Sequence, residues 1–178
     1  MSSEAITVVS GLPRSGTSMM MKVLEAGGLG ALTDEIREAD EDNPKGYYEL
    51  EAVKDEGNEG GWIDDARGKA VKVISALLKN LPKSESYKVI FMRRKMDEIL
   101  ASQKKMLVRR GEPTDRVSDE EISKMFFGHI QQIEKWLADQ PNIEVLYVNY
   151  NEVLKEPEPH IAKVHEFLSQ SKSLGDYC

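Results

Sequence analysis

The sequence predicts an α/β fold three layers deep, a mainly parallel sheet of about four to five strands flanked by helices. Short β-branched apolar runs recur at Ile6–Ser10, Ala70–Ile74, Lys88–Met92 and Ile143–Val148. Stretches with helical spacing stand between them. The first run opens onto a glycine-rich turn that leads directly into a helix. Strands that alternate with helices in this way pair in parallel through right-handed crossovers.

Ile6–Ser10 reads as a buried strand, and Gly11–Gly16, punctuated by glycine and proline, as the turn after it. Thr17–Ala26 follows helical spacing, with Met20, Val23 and Leu24 on one face and Gly27–Gly28 as a stop. From Gly30 to Lys69 the pattern weakens. Acidic residues cluster at Asp34–Asp42, glycines recur at Gly57, Gly60, Gly61 and Gly68, and a short helix is expected near Glu49–Asp55. An excursion that long is more often functional than core. Order returns with the strands Ala70–Ile74 and Lys88–Met92. A helix over Asp97–Arg109 then turns Ile99, Leu100, Met106 and Leu107 inward. The next helix, Ser118–Asp139, begins with the capping-box pattern Ser118–Asp119–Glu120–Glu121 and carries the stripe Ile122, Phe126, Ile130, Ile133 and Leu137. Ile143–Val148 is the fourth strand and Pro159–Ser169 the last helix. Ligands of such sheets bind beyond the carboxyl ends of the strands, so the residues that follow each strand are the site candidates.

The chain has 178 residues, the size of one domain over 1–178, with 30–69 as an irregular lid or acceptor-side insertion. Apolar residues make up 40% and charged residues 31%, enough for a core with a solvated surface. No run of about eighteen apolar residues is available to span a bilayer, so no membrane partner is expected. Met1–Ala5 lacks the basic and apolar regions of a secretory signal. The single cysteine, Cys178, allows no intrachain disulfide, and a cytoplasmic location is expected. A net charge of −7 argues against a nucleic-acid partner, which needs a broad basic face. It leaves room for one small anion in a local pocket.

Gly11–Leu12–Pro13–Arg14–Ser15–Gly16–Thr17–Ser18 has the spacing of a phosphate loop. Its glycines let consecutive backbone N–H groups turn inward, and the following helix adds its free amides and positive dipole end. Ser15, Thr17 and Ser18 add hydroxyls. A nucleoside-triphosphate loop carries lysine after the second glycine, whereas Thr17 stands here and the positive charge comes from Arg14. Triphosphate chemistry also needs an acidic residue at a strand end to help hold Mg²⁺. Ala70–Ile74 runs into Ser75, and Lys88–Met92 into Arg93 and Arg94. The pattern favours an anion held by cations and amides, with no metal.

Three segments together resemble the sulfotransferases that use 3′-phosphoadenosine-5′-phosphosulfate (PAPS). Pro13–Arg14–Ser15–Gly16–Thr17 resembles the family's 5′-phosphosulfate loop. Val89–Arg94 followed by Ser102 resembles its 3′-phosphate motif, a strand-end arginine with a serine eight residues on. Val148–Leu154, Pro157 and Phe167–Leu168 resemble its closing Tyr-Glu-Asp-Leu…Pro…Phe-Leu-Gly segment. The resemblance implies a P-loop NTPase-like fold and transfer of a sulfuryl group from PAPS to a hydroxyl or amine, leaving adenosine 3′,5′-bisphosphate (PAP). It implies that Arg14 stabilises the 5′-phosphate oxygens, with Ser15, Gly16, Thr17 and Ser18 as further donors, and that Arg94 and Ser102 hold the 3′-phosphate.

The sequence departs from this pattern in three places. Two residues after a lysine, where many members carry a base histidine, Lys72 is followed by Ile74. A glutamate is then expected as base, with Glu49 and Glu51 as candidates. The family's late basic clamp has no match before Cys178, and the chain is short. A pocket open on one side, or completed by a second copy in a homo-oligomer, is expected from this. Trp62, with Tyr47 and Tyr48, either lines an acceptor pocket or packs the lid, and His129 is expected to be packed or at the surface. Two functions therefore stand at the level of sequence. One is a PAPS-dependent sulfotransferase acting on a small-molecule or carbohydrate acceptor. The other is a non-catalytic nucleotide-binding or assembly protein of the same fold.

Overall fold

The structure, a computed structural model, describes residues 4–33, 50, 53 and 61–170. In chain order its elements are β1 (Ile6–Gly11), α1 (Thr17–Ala26), β2 (Gly30–Leu32), α2 (Ile63–Ala66), β3 (Lys69–Lys72), a 3-10 turn (Ser75–Asn80) and β4 (Tyr87–Arg93). α3 (Met96–Arg109), α4 (Asp119–Ala138), β5 (Ile143–Asn149), α5 (Tyr150–Lys155) and α6 (Pro157–Ser169) follow. The described strands form one five-stranded sheet in the order β2-β3-β1-β4-β5, with every pairing parallel.

β1 and β4 read as near-continuous apolar runs because both of their faces are covered. Ile6, Val8, Val71, Val89 and Phe91 face one layer with Ile133 and Leu137 of α4 and Ile63 and Ala66 of α2. Val9, Ala70, Ile90 and Met92 face the other with Met20, Met21 and Leu24 of α1 and Val164 of α6. The sheet is thus the middle of three layers. Ser118 caps α4 as its sequence pattern predicts: its hydroxyl accepts from the Glu121 amide while the Glu121 carboxylate accepts from the Ser118 amide.

One charged residue interrupts the apolar run of β4. Lys88 is buried, and its ammonium donates to the carbonyls of Phe167, at 2.6 Å, and Gln170 at the end of α6. A buried charge must find partners, and the last carbonyls of a helix lack intrahelical donors. Each need meets the other, and the contact fastens α6 to the sheet.

Four elements were not anticipated, counting the four-residue α2. β2 falls within the expected irregular excursion; it is a three-residue edge strand, exposed to half-buried, with too little apolar pattern to read. The 3-10 turn and the six-residue α5 are likewise too short for periodicity to show. The short helix expected near Glu49–Asp55 lies outside the described residues except for Leu50 and Val53, both in the core. No described helix is long and apolar enough to cross a membrane.

Phe91 is fully buried in the central sheet. Phe91→Ala should lower the unfolding free energy by about 3–5 kcal/mol, and Ser118→Ala, which removes only the cap, by about 1 kcal/mol. Urea denaturation measures both. Equal losses would contradict the placement of Phe91 at the centre of the sheet.

Candidate active site

β1 ends in the glycine loop at the carboxyl edge of the sheet. At Gly11, with φ of +149°, a Cβ would lie 2.5 Å from Ser15 Oγ and 2.8 Å from the Met92 carbonyl oxygen, so no side chain fits. Gly16, with φ of +100°, places the start of α1 against Tyr150; a Cβ there would come within 2.4 Å of the ring. Arg14 also has a positive φ, 68°. Ser15 closes the loop from inside, its amide and hydroxyl both donating to the Leu12 carbonyl, at 3.2 and 2.6 Å. The hydroxyl counted in the sequence as a phosphate donor is therefore turned into the loop in this structure. No side chain caps α1 and no acidic residue stands in its first turn, which leaves the helix dipole uncompensated by a carboxylate.

The sequence motifs converge on this loop. Arg14 Nε donates to Ser102 Oγ at 2.8 Å, across 88 residues of chain. Arg94 Nη1 donates to the Arg14 carbonyl oxygen at 3.0 Å, and its Nε donates to Glu98 at 3.0 Å. The guanidinium lies 4.3 Å over the Tyr150 ring. The structure thus brings Arg14, Arg94 and Ser102 together. Arg93 goes elsewhere: it pairs with Glu134 at 2.6 Å and stacks 3.9 Å over Tyr147. Arg93 is the last residue of β4, whereas Arg94 lies just beyond it in the connection to α3. Hydrogen bonds from Asn151 and then from Arg94 hold the Glu98 carboxyl below its usual range.

One residue of the site escaped the sequence reading, where Lys72 served only to locate the missing histidine. Its ammonium donates to Ser18 Oγ at 3.3 Å, in the first turn of α1. Lys72 ends β3 opposite Val9 of β1, on the face that packs against α1. A cation thus reaches the loop from the neighbouring strand although Thr17 replaces the loop lysine. The available signal was a lysine closing an apolar strand at the carboxyl edge.

Trp62 is buried in the core cluster that also holds Ile63 and Val53. His129 is half-buried, its Nε2 2.9 Å from the hydroxyl of the buried Ser75, as a packed histidine should be. Burial, and then Lys79, push its pKa down, which favours the neutral ring. Glu49 and Glu51, with Tyr47 and Tyr48, lie outside the described residues. Among the described residues no group of three or more His, Cys, Asp or Glu side chains is placed to hold a metal ion.

A five-stranded parallel α/β sheet with a glycine loop at its carboxyl edge, ringed by Arg14, Lys72 and Arg94, defines the class of protein. The chain belongs to the sulfotransferase domain family, whose model matches residues 5–177. No curated protein matches the sequence. Among solved structures, the sulfotransferase domain from the curacin biosynthetic pathway is similar in fold, with TM-score 0.54 and 14% identity, over 96% of this chain and 75% of that one. A sulfotransferase from Alicyclobacillus acidocaldarius matches with TM-score 0.48 and 14% identity, over 94% of this chain and 81% of that one. Retinol dehydratase in complex with retinol and PAP matches with TM-score 0.47 and 16% identity, over 94% of this chain and 60% of that one.

Gly16→Ala should destabilise the fold by more than about 1 kcal/mol, because the conformation and the space both exclude a side chain. Tyr150→Ala in the same background frees the space and should recover part of that loss in urea denaturation. Full additivity of the two changes would show that Gly16 and Tyr150 are not in contact.

Proposed function

We propose that the protein is a sulfotransferase that takes a sulfuryl group from PAPS and passes it to a hydroxyl or amine of a small-molecule or carbohydrate acceptor, leaving PAP. The observation that carries this reading is the pair of hydrogen bonds joining Arg94 to the Arg14 carbonyl and Arg14 to Ser102. They gather one cation on the 5′-phosphate loop and another at the end of β4, which suits a nucleotide phosphorylated at both its 5′ and 3′ positions. The surroundings fit such an anion, since α1 starts without a cap or a first-turn carboxylate.

When bound, PAPS supplies a sulfur that takes the acceptor oxygen or nitrogen as its bond to the 5′-phosphate oxygen breaks. The chain's own residues do the rest. Arg14 and Lys72 offset the charge that develops on the departing phosphate oxygen. The backbone amides of Gly16, Thr17 and Ser18 and the Ser18 hydroxyl donate to the same phosphate. Arg94 and Ser102 hold the 3′-phosphate, where a guanidinium fork suits a dianion. Glu49 takes the acceptor proton, with Glu51 as the alternative. Fixing both ends of the donor converts an encounter into an oriented displacement.

A second reading, a nucleotide-binding protein without turnover, is favoured by one observation. Ile74, where a base histidine is expected, leads into the 3-10 turn and offers no proton acceptor.

Ligand-dependent unfolding tests the donor assignment. PAP at about a hundred times its dissociation constant should add roughly 2.7 kcal/mol of stability, and 5′-AMP at the same concentration clearly less. Equal stabilisation by ATP with Mg²⁺, or none by PAP, would refute the reading. Arg94→Ala should weaken PAP binding without reducing 5′-AMP binding to the same extent, and calorimetric titration checks this.

A further inference from the structure

Arg94 can discriminate a 3′-phosphate only if its guanidinium is held ready, and its carboxylate partner, Glu98, is a poor anchor by itself. Glu98 and Arg94 are neighbours at i and i+4 on a helix start, with side chains 33% and 21% exposed. Ion pairs of this kind contribute little when both long side chains must be ordered for them. A second element supplies the missing rigidity. Asn151, in the first turn of α5, donates from Nδ2 to both oxygens of Glu98, at 2.8 and 2.9 Å. Its own Oδ1 lies 3.4 Å from the Lys95 amide, at the start of α3. Asn151 is held in turn by Asn149, whose side-chain oxygen accepts from the amides of Asn151 and Glu152. Tyr150, between the two asparagines, puts its ring beneath the Arg94 guanidinium.

We propose that Asn151 and Glu98 are positioning residues for Arg94, and that this tie from α5 to α3 gives the site its preference for nucleotides that carry a 3′-phosphate. The inference rests on the proposed donor. It adds residues that would not touch the nucleotide and acts through pre-organisation: an arginine already in place spends less conformational freedom when the phosphate arrives. Asn151 also stands at the glutamate position of the Tyr-Glu-Asp-Leu pattern that this segment resembles. A carboxylate there would face Glu98 and repel it, whereas the amide donates to it. The depressed pKa of Glu98 agrees with a carboxylate held charged by these donors.

The test compares PAP and 5′-AMP binding by calorimetry in the full chain, for the wild type, Asn151→Ala, Arg94→Ala and the double variant. Asn151→Ala adds no charge, and it should weaken PAP by about tenfold while leaving 5′-AMP within about twofold, a coupling of the size expected for residues in one network. In the Arg94→Ala background the same change should have no further effect on PAP. Should Asn151→Ala fail to fold, Asn151→Ser carries the same expectation, because its hydroxyl cannot span both Glu98 oxygens. Equal weakening of both nucleotides, or an undiminished loss in the Arg94→Ala background, would overturn the inference. A wild type that binds no PAP would instead overturn the donor assignment.

Discussion

The hydrogen bond from Arg94 to the carbonyl of Arg14 is the constraint on which the rest of the site depends. Arg14 holds a left-handed backbone conformation, φ 68°, that costs a non-glycine residue on the order of 1–2 kcal/mol. Such a conformation persists where the surroundings over-determine it, and here they do so from two sides. The side chain of Arg14 is tied to Ser102 and its carbonyl to Arg94. Both partners belong to the β4–α3 connection and helix, which the parallel register of β1 and β4 brings alongside the loop, with Gly11 opposite Met92. A slip of that register by one residue would turn the side chains of β4 to the opposite faces and shift the connection that carries Arg94 away from the Arg14 carbonyl.

The electrostatic arrangement is local. The chain carries a net charge of −7, yet the loop collects Arg14, Lys72 and Arg94 from three different parts of the fold. Among the described residues Glu134 pairs with Arg93, and Glu98 pairs with Arg94 while accepting from Asn151. Charges beyond a Debye length of roughly 8–10 Å are screened, so an acidic chain can carry a cationic loop. What an arriving anion meets is set by which carboxylates stand within hydrogen-bond reach, and none stands in the first turn of α1.

The sheet was legible because its central strands are buried on both faces, which leaves apolar runs at Ile6–Gly11 and Tyr87–Arg93 that no surface helix would carry. β2 was not, since an edge strand of three half-exposed residues imposes almost no pattern. The site divides along a similar line. Arg14, Arg94 and Ser102 could be named because each lies at a motif spacing. Lys72 could not, because its role depends on the pairing of Lys72 with Val9, which points the amine at α1. The tie from Asn151 to Glu98 joins residues 53 apart and has no local signature at all. Ser15 shows the converse, a hydroxyl that spacing marks as a phosphate donor and that the geometry of the turn spends on Leu12.

A loop lysine and a strand-end lysine are different solutions to one problem. On the first turn of α1, a lysine would be a flexible point charge able to follow a phosphate chain and its metal. Lys72 is anchored by β3, two strands from Arg94, so its amine arrives from the opposite side of the loop. Arg14 in turn is bound through its side chain to the same segment that carries Arg94. In the proposed function the two ends of the donor therefore meet a single mechanically joined unit, and a 3′-phosphate that settles on Arg94 also steadies the Arg14 carbonyl and the loop around the 5′-phosphate. A ligand lacking the 3′-phosphate would leave that connection unused. Selectivity for the doubly phosphorylated nucleotide then follows from how the loop is held as much as from the charge that is counted.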